Sequence, residues 1–169
     1  MILIAIDGDA AAGKSTLAAK LAKEHNCTVV HMDHFFLPPA LRTDERLAEP
    51  GGNVDYERFK TEVLEPLQAG KPFSYRPFCC QKWDFADEIS ITPSAITIVE
   101  GAYALHPTLA HAYHVKMFVK IDPKEQMRRI LARNGEIMAE KFQNIWIPME
   151  KRYQEAFDIE AGCGIIIEG

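Results

Sequence analysis

The chain has 169 residues, 47% of them hydrophobic and 25% charged, the balance of one globular domain large enough to bury its own core. Nineteen bases face 24 acids for a net charge of −5, which argues against a nucleic-acid partner, since that needs a basic face. Four cysteines without a CxxC pair exclude a zinc site by spacing and suit free thiols in a cytoplasmic protein, and no apolar run nears the ~20 residues of a membrane span.

The first run, Ile2 to Asp7, strings β-branched apolar residues together without alternation, the pattern of a strand buried on both faces. No basic leader precedes it. It runs directly into GDAAAGKS at 8–15, a glycine, four residues, then Gly-Lys-Ser. In a loop of this spacing, successive backbone amides converge on a phosphate and the next helix adds its positive end. Gly8, Asp9, Ala10, Ala11, Ala12, Gly13, Lys14, Ser15 and Thr16 are therefore the expected nucleotide-binding residues. Lys14 would reach the β- and γ-phosphates, and the Ser15 hydroxyl would ligate Mg²⁺. The same spacing also arises by chance in ordinary glycine turns. Here a strand precedes it, and helical spacing of Leu17, Ala18, Leu21 and Ala22 follows as far as His25-Asn26, which favours the phosphate loop.

Cys27 to Met32 reads as a second buried strand, and it ends in HMDHFF. In a phosphotransferase this edge faces the γ-phosphate, where an acceptor hydroxyl must lose its proton. Asp33 is the natural general base, with the bland alternative that it is a turn residue. His31 and His34 are weaker candidates for the base, expected rather as packing or lining groups. Phe36 belongs to an apolar run, Phe35-Phe36-Leu37, that would wall a pocket for a flat ring or simply pack the core.

A helix is expected from Asp55, its cap, to Leu67, with Tyr56, Phe59, Val63 and Leu67 on one face and Pro66 and Gly70 ending it. Residues 71–92 are irregular, with strand candidates at Phe73–Arg76 and Glu88–Ile91. A third buried strand, Ala95 to Glu100, closes on IVEG and puts Glu100 at the carboxyl edge of the sheet, where ligands gather. Glu100 is the second candidate for Mg²⁺; otherwise it is a solvated strand-end acid. GTPase motifs of the DxxG and NKxD kind are missing from the string.

Val115 to Ile121 is the fourth strand, and Asp122-Pro123 opens a helix that stops at Asn134-Gly135. Arg129 and Arg133 are four apart and share a face, with Arg128 off it. Alone they would be a solvated basic face. Beside a phosphate loop they make a lid, about 128–140, that closes over the transferring phosphoryl group. A further helical stretch from Glu136 to Glu160, interrupted at Pro148, leads to a closing strand at 163–168. Buried strands alternating with helices give an α/β fold, a parallel sheet with helices on both faces.

Taken in order, GDAAAGKST, HMDHFF, GGNVDYERF, PFSYRPF, IVEGAYALHP, QMRRILARNG and FQNIWIPMEKRY span nearly the whole chain. In this combination the chain resembles the uridine kinase/phosphoribulokinase family of P-loop kinases, especially short bacterial uridine kinase-like members. The resemblance implies a P-loop NTPase-type three-layer fold over 1–169, a five-stranded parallel sheet in the order 2-3-1-4-5 with a short arginine-bearing lid. It implies transfer of the γ-phosphate of ATP or GTP, with Mg²⁺, to the 5′-hydroxyl of a pyrimidine nucleoside, with Lys14, Asp33, Arg129 and Arg133 catalytic. Asp55, Tyr75 and Arg76 fall where the family meets its acceptor, so with Asp33 and Phe36 they are the expected substrate-binding residues. Phe35-Phe36 stands where the family commonly has a tyrosine, and Tyr75-Arg76-Pro77-Phe78-Cys79-Cys80 replaces its YDFxxHxR segment. Other acceptors, such as nicotinamide riboside, pantothenate or a sugar phosphate, and a non-catalytic nucleotide-binding regulator, stay open. Nothing in the string fixes self-association.

Overall fold

A computed structural model describes residues 1–169. The chain runs β1 (Ile2–Gly8), α1 (Lys14–His25), β2 (Thr28–His31), α2 (Asp44–Ala48), α3 (Tyr56–Phe59) and α4 (Glu65–Gln68). Four short strands follow: β3 (Phe73–Tyr75), β4 (Phe78–Cys79), β5 (Asp84–Phe85) and β6 (Ile89–Ile91). Next come β7 (Ile96–Glu100), α5 (Pro107–Ala110), β8 (Val115–Lys120) and α6 (Pro123–Asn134). Finally α7 (Glu136–Lys141), α8 (Ile147–Ala156) and β9 (Ile165–Glu168) complete it.

The main sheet is ordered β2-β7-β1-β8-β9 and every pairing in it is parallel. Counted along the expected strands this is 2-3-1-4-5. Because side chains alternate across a strand, neighbours in β1 serve opposite cores. Ala5 packs with Val30, Val99 and Phe118 on one face, and Ile6 with Ala18, Ile98 and Val119 on the other. Both are fully buried. That two-sided demand is why the strands read as continuous apolar runs.

The two strand candidates in 71–92 pair with each other, β3 antiparallel to β6, and β4 with β5 makes a second small hairpin the sequence did not announce. Arg58 fastens this arm to the body. Its guanidinium lies 4.3 Å from the Phe35 ring and 5.0 Å from the Phe85 ring, and it donates to the carbonyls of His34 and Arg76. Asp55 caps the helix at 56–68 by accepting from the Arg58 amide at 3.0 Å. No helix is long and apolar enough to cross a membrane.

Proline behaves differently from expectation at two places. Pro66 does not end its helix, and Pro148 does not interrupt the later one. Each sits in the first turn of an α-helix that directly follows a π-helical turn, at Lys60–Leu64 and at Phe142–Trp146. A proline has no N–H to give the preceding turn, and the wide turn relaxes that demand. The first helix stops at Gly70, at φ +64. The second ends at Ala156, short of the expected Glu160. Gly135 has φ 77 but ψ 173, so α6 stops on an extended glycine and not a left-handed one.

Candidate active site

The loop between β1 and α1 turns at the carboxyl edge of the sheet, and it is held from outside by side chains of later elements. Gly8 has φ +140 and presses so close to β8 that a Cβ there would lie 2.0 Å from the Val119 carbonyl oxygen. Only glycine fits. The Asp9 carboxylate accepts from the Ile121 amide at 3.1 Å and the Gln154 amide at 3.2 Å, so it anchors the loop and faces away from the cleft. Glu150 of α8 accepts from the Ala10 amide at 2.9 Å, and Gln126 of α6 donates to the Ala10 carbonyl at 3.0 Å. Burial pushes the Glu150 carboxyl up to about 7, despite the Lys14 charge and that amide. Under the loop, Asp7 is also buried and raised, and accepts from Leu105 and Gly8 amides and from the Tyr153 hydroxyl.

Ala10, Ala11, Gly13, Lys14, Ser15 and Thr16 border one cleft of about 1090 Å³, while Ala12 faces the core. Single-ligand pockets reach about 1,000 Å³, so this one has room for a nucleotide and a small second molecule. The Lys14 ammonium bridges the carbonyls of Gly8 and Asp9 at 2.8 Å each. That contact holds the lysine over the loop, where its charge faces the cleft.

Opposite the loop, the ends of β2 and β7 bring acids forward. The Ser15 hydroxyl donates to Glu100 at 3.1 Å, and the other Glu100 oxygen meets His31 Nδ1. This bond raises His31 above the ordinary histidine range against the pull of burial. His31 therefore does more than pack, and its pairing with Glu100 is what sequence reasoning missed. The residue after Glu100, Gly101, has φ +139, and a Cβ there would lie 2.8 Å from Met32 Cβ and 3.1 Å from Asp33 Oδ1. Its missing side chain lets the turn that carries Asp33 sit against β7. Asp33 is open to the cleft but crowded by protein behind. That crowding raises its carboxyl, Glu100 adds to the rise, and Lys14, His31 and Arg133 oppose it. A raised carboxyl is a better proton acceptor.

No group of three His, Cys, Asp or Glu side chains assembles into a metal cluster. The oxygen pair of Ser15 and Glu100 nonetheless fits Mg²⁺, a hard cation that takes one or two protein oxygens and fills its shell with water and phosphate oxygens.

Arginines close the third side. Glu125 grips both Arg128, at 2.6 Å, and Arg129, at 2.7 Å, and the pair holds the Glu125 carboxyl down to about 2. Arg129 also donates to the Ala11 carbonyl of the loop at 3.4 Å. Arg133 bonds the Asn134 side chain and projects its charge as far as Asp33. Arg128 borders the cleft as well, one helical step off the face that Arg129 and Arg133 share.

Three expected acceptor residues are not brought to the cleft. Tyr75 is 3% exposed in the core with its hydroxyl 3.0 Å from His34 Nδ1. Asp55 is occupied as a helix cap. Arg76 donates to the carbonyls of Ala86 and Phe85. The wall beyond Asp33 is instead Phe36, Arg42, Asn53, Cys80 and Trp83. Glu150 could have been suspected from the sequence, because with Ile147 and Tyr153 it recurs at helical spacing on an otherwise apolar face.

No family model matches the chain. Among solved structures, a protein named as a possible uridine kinase from Bacillus stearothermophilus superposes with a TM-score of 0.68 at 18% identity, over 98% of this chain and 88% of that one. A candidate fructose transport system kinase from Silicibacter sp. TM1040 gives 0.65 at 19%, over 98% and 88%. D-glycerate 3-kinase from Cryptococcus neoformans var. grubii gives 0.62 at 14%, over 99% and 86%. The chain has the P-loop kinase fold.

Proposed function

We propose that the protein is a small-molecule kinase that moves the γ-phosphate of ATP, or GTP, to a hydroxyl group of a bound acceptor. The observation that carries this is the convergence of Lys14, the Ser15–Glu100 pair and Asp33 on one cleft. A regulator that only binds nucleotide needs the loop but has no use for a crowded carboxylate across from it.

The loop amides and Lys14 hold the β- and γ-phosphates, and α1 adds its positive end. Ser15 and Glu100 would hold Mg²⁺, which would supply positive charge for the phosphate oxygens. The acceptor oxygen gives its proton to Asp33 and bonds to the γ-phosphorus, while the bond to the β-phosphate oxygen breaks and nucleoside diphosphate leaves. Arg129 and Arg133 offset the charge spreading over the moving phosphoryl group. Glu100 and His31 form one unit, so the histidine keeps the carboxylate turned toward Ser15.

The resemblance in sequence favours the 5′-hydroxyl of uridine or cytidine as acceptor, with Phe36 offering a flat face. Nicotinamide riboside, pantothenate and sugar phosphates present the same reacting group. Free thiols throughout suit a reducing, cytoplasmic setting. A nucleoside diphosphate release assay with Mg·ATP and a panel of hydroxyl compounds, run with wild type and Asp33→Asn, tests the reading. Turnover by wild type with a loss of ~10²- to 10⁴-fold in the variant is expected, with Mg·ATP affinity preserved. An Asp33→Asn enzyme that turns over normally would place the base elsewhere.

A further inference from the structure

We infer that the acceptor carries an anionic group, a carboxylate or a phosphate ester, bound by Arg42 beside the hydroxyl that is phosphorylated. This rests on the kinase reading and narrows it.

The cleft has cations at both ends, in different states. At the nucleotide end, Arg128 and Arg129 are ion-paired to Glu125 and Lys14 is bonded to the loop. Beyond Asp33, Arg42 is the one cation on the wall, and its guanidinium has neither an ion pair nor a hydrogen bond to protein. The neighbouring arginines of this region are engaged. Arg46 meets Glu57 at 2.6 Å and stacks on Tyr56, and Arg58 lies 3.3 Å from Glu62 and stacks between aromatic rings.

Arg42 is not loose, however. Its guanidinium carbon lies 5.3 Å from the centroid of the Trp83 ring, and Trp83 sits at the tip of the β4–β5 hairpin with φ +54. An indole beneath a guanidinium fixes the plane and leaves the N–H edges free. Those edges match the two oxygens of a carboxylate or phosphate.

Asn53 supplies the second observation. It is 5% exposed, borders the same cleft, and its Oδ1 is buried without a hydrogen-bond partner. A buried acceptor without a donor is costly unless a ligand provides one. The Asn53 amide also bonds the Tyr103 side chain, and its covered oxygen meets a ligand O–H once the side chain turns toward the cleft it borders. Electrostatics add a third constraint, because Asp33 and Glu100 repel an anion unless a cation sits beyond them. Arg42, Asp33 and Cys80 line the same cleft, so one occupant can face both the base and the guanidinium. The class is thus a small hydroxylated anion. A neutral nucleoside would leave Arg42 unmatched.

Matched pairs test this: pantothenate against panthenol, ribose 5-phosphate against ribose, with uridine and cytidine as neutral nucleosides. Nucleoside diphosphate release with Mg·ATP is measured for wild type, Arg42→Gln and Arg42→Lys, beside Mg·ATP binding. The charged member of one pair should exceed its neutral partner in kcat/KM by ~10-fold or more, the range for one charged hydrogen bond. Whether the carboxylate or the phosphate pair responds identifies the anion. Arg42→Gln should abolish that preference mainly through KM, and Arg42→Lys should restore part of it. Best turnover with uridine or cytidine, or a charge preference that survives Arg42→Gln, overturns the inference while the kinase reading stands. No phosphorylation of any compound, with Mg·ATP bound normally, overturns the kinase reading and this one with it.

Discussion

Glu150→Gln should stabilise the protein at alkaline pH and leave it nearly unchanged in acid. Glu150 is 8% exposed, and burial lifts its carboxyl from the ordinary 4.5 to about 7, with Asp7 and Asp9 adding to the rise. Below 4.5 the group is protonated in the folded and the unfolded chain alike. As pH rises from 4.5 to about 7, only the unfolded chain gives up the proton, so stability falls through this window and then levels. At about 1.4 kcal/mol for each pH unit, the gap amounts to about 3 kcal/mol. Glutamine has no proton to lose, and its side-chain oxygen can still accept from the Ala10 amide. In a chain of this size about 1 kcal/mol moves Tm by ~2–4 °C. The variant should therefore melt ~6–12 °C above wild type at pH 8 and within a degree or two of it near pH 4.5. Asp7 is raised in the same sense and repels the Glu150 carboxylate, so removing that charge eases its own ionisation and adds to the gain above pH 7. Thermal unfolding followed by circular dichroism at stepped pH reads the effect. A Tm difference that does not change with pH, or that favours wild type at pH 8, refutes the argument.

Arg133→Ala should lower turnover by ~10²-fold or more while weakening Mg·ATP binding much less, since the role assigned to it is in the transition state. Arg128→Ala, whose guanidinium is held by Glu125, should do far less; equal effects in steady-state kinetics would return α6 to a solvated basic face. Gly101→Ala would thrust a methyl group toward Met32 and Asp33 at φ +139. It should cost ~10²-fold in kcat by displacing the base by about 1 Å, with Mg·ATP affinity kept. Normal turnover in that variant would mean Asp33 needs no such placement.

The sheet was readable in the sequence because burial on both faces leaves an unbroken mark. Ile2–Asp7, Cys27–Met32, Ala95–Glu100, Val115–Ile121 and 163–168 each became a strand within one or two residues at either end. The loop at 8–15 was readable because its turn takes a fixed local spacing, with Gly8 pressed against Val119. Residues 38–54 were not, since their 3-10 turn and α2 depend on Arg46 bonding to Gly52, Val54 and Glu57, contacts no periodicity records. Asp55, Tyr75 and Arg76 looked like ligand residues by resemblance, and the structure engages all three internally. Arg42 and Glu150 escaped notice for the opposite reason. Each matters through partners more than 40 residues away, Trp83 for one and Ala10 for the other.

Met138, Phe142, Trp146 and Glu150 all border the cleft, each four residues after the last. In a regular α-helix every fourth residue drifts by about 40°, so three such steps would carry Glu150 about 120° away from Met138. The π turn at Phe142–Trp146 takes back much of that drift and keeps the four side chains in phase. One rod therefore carries both a wall of the cleft and the Glu150 bond to the Ala10 amide. A tilt of α7 and the set of the Ala10 amide become two readings of one lever. Shortening that turn by a single residue would put the lever out of time while every residue of the loop remained in place.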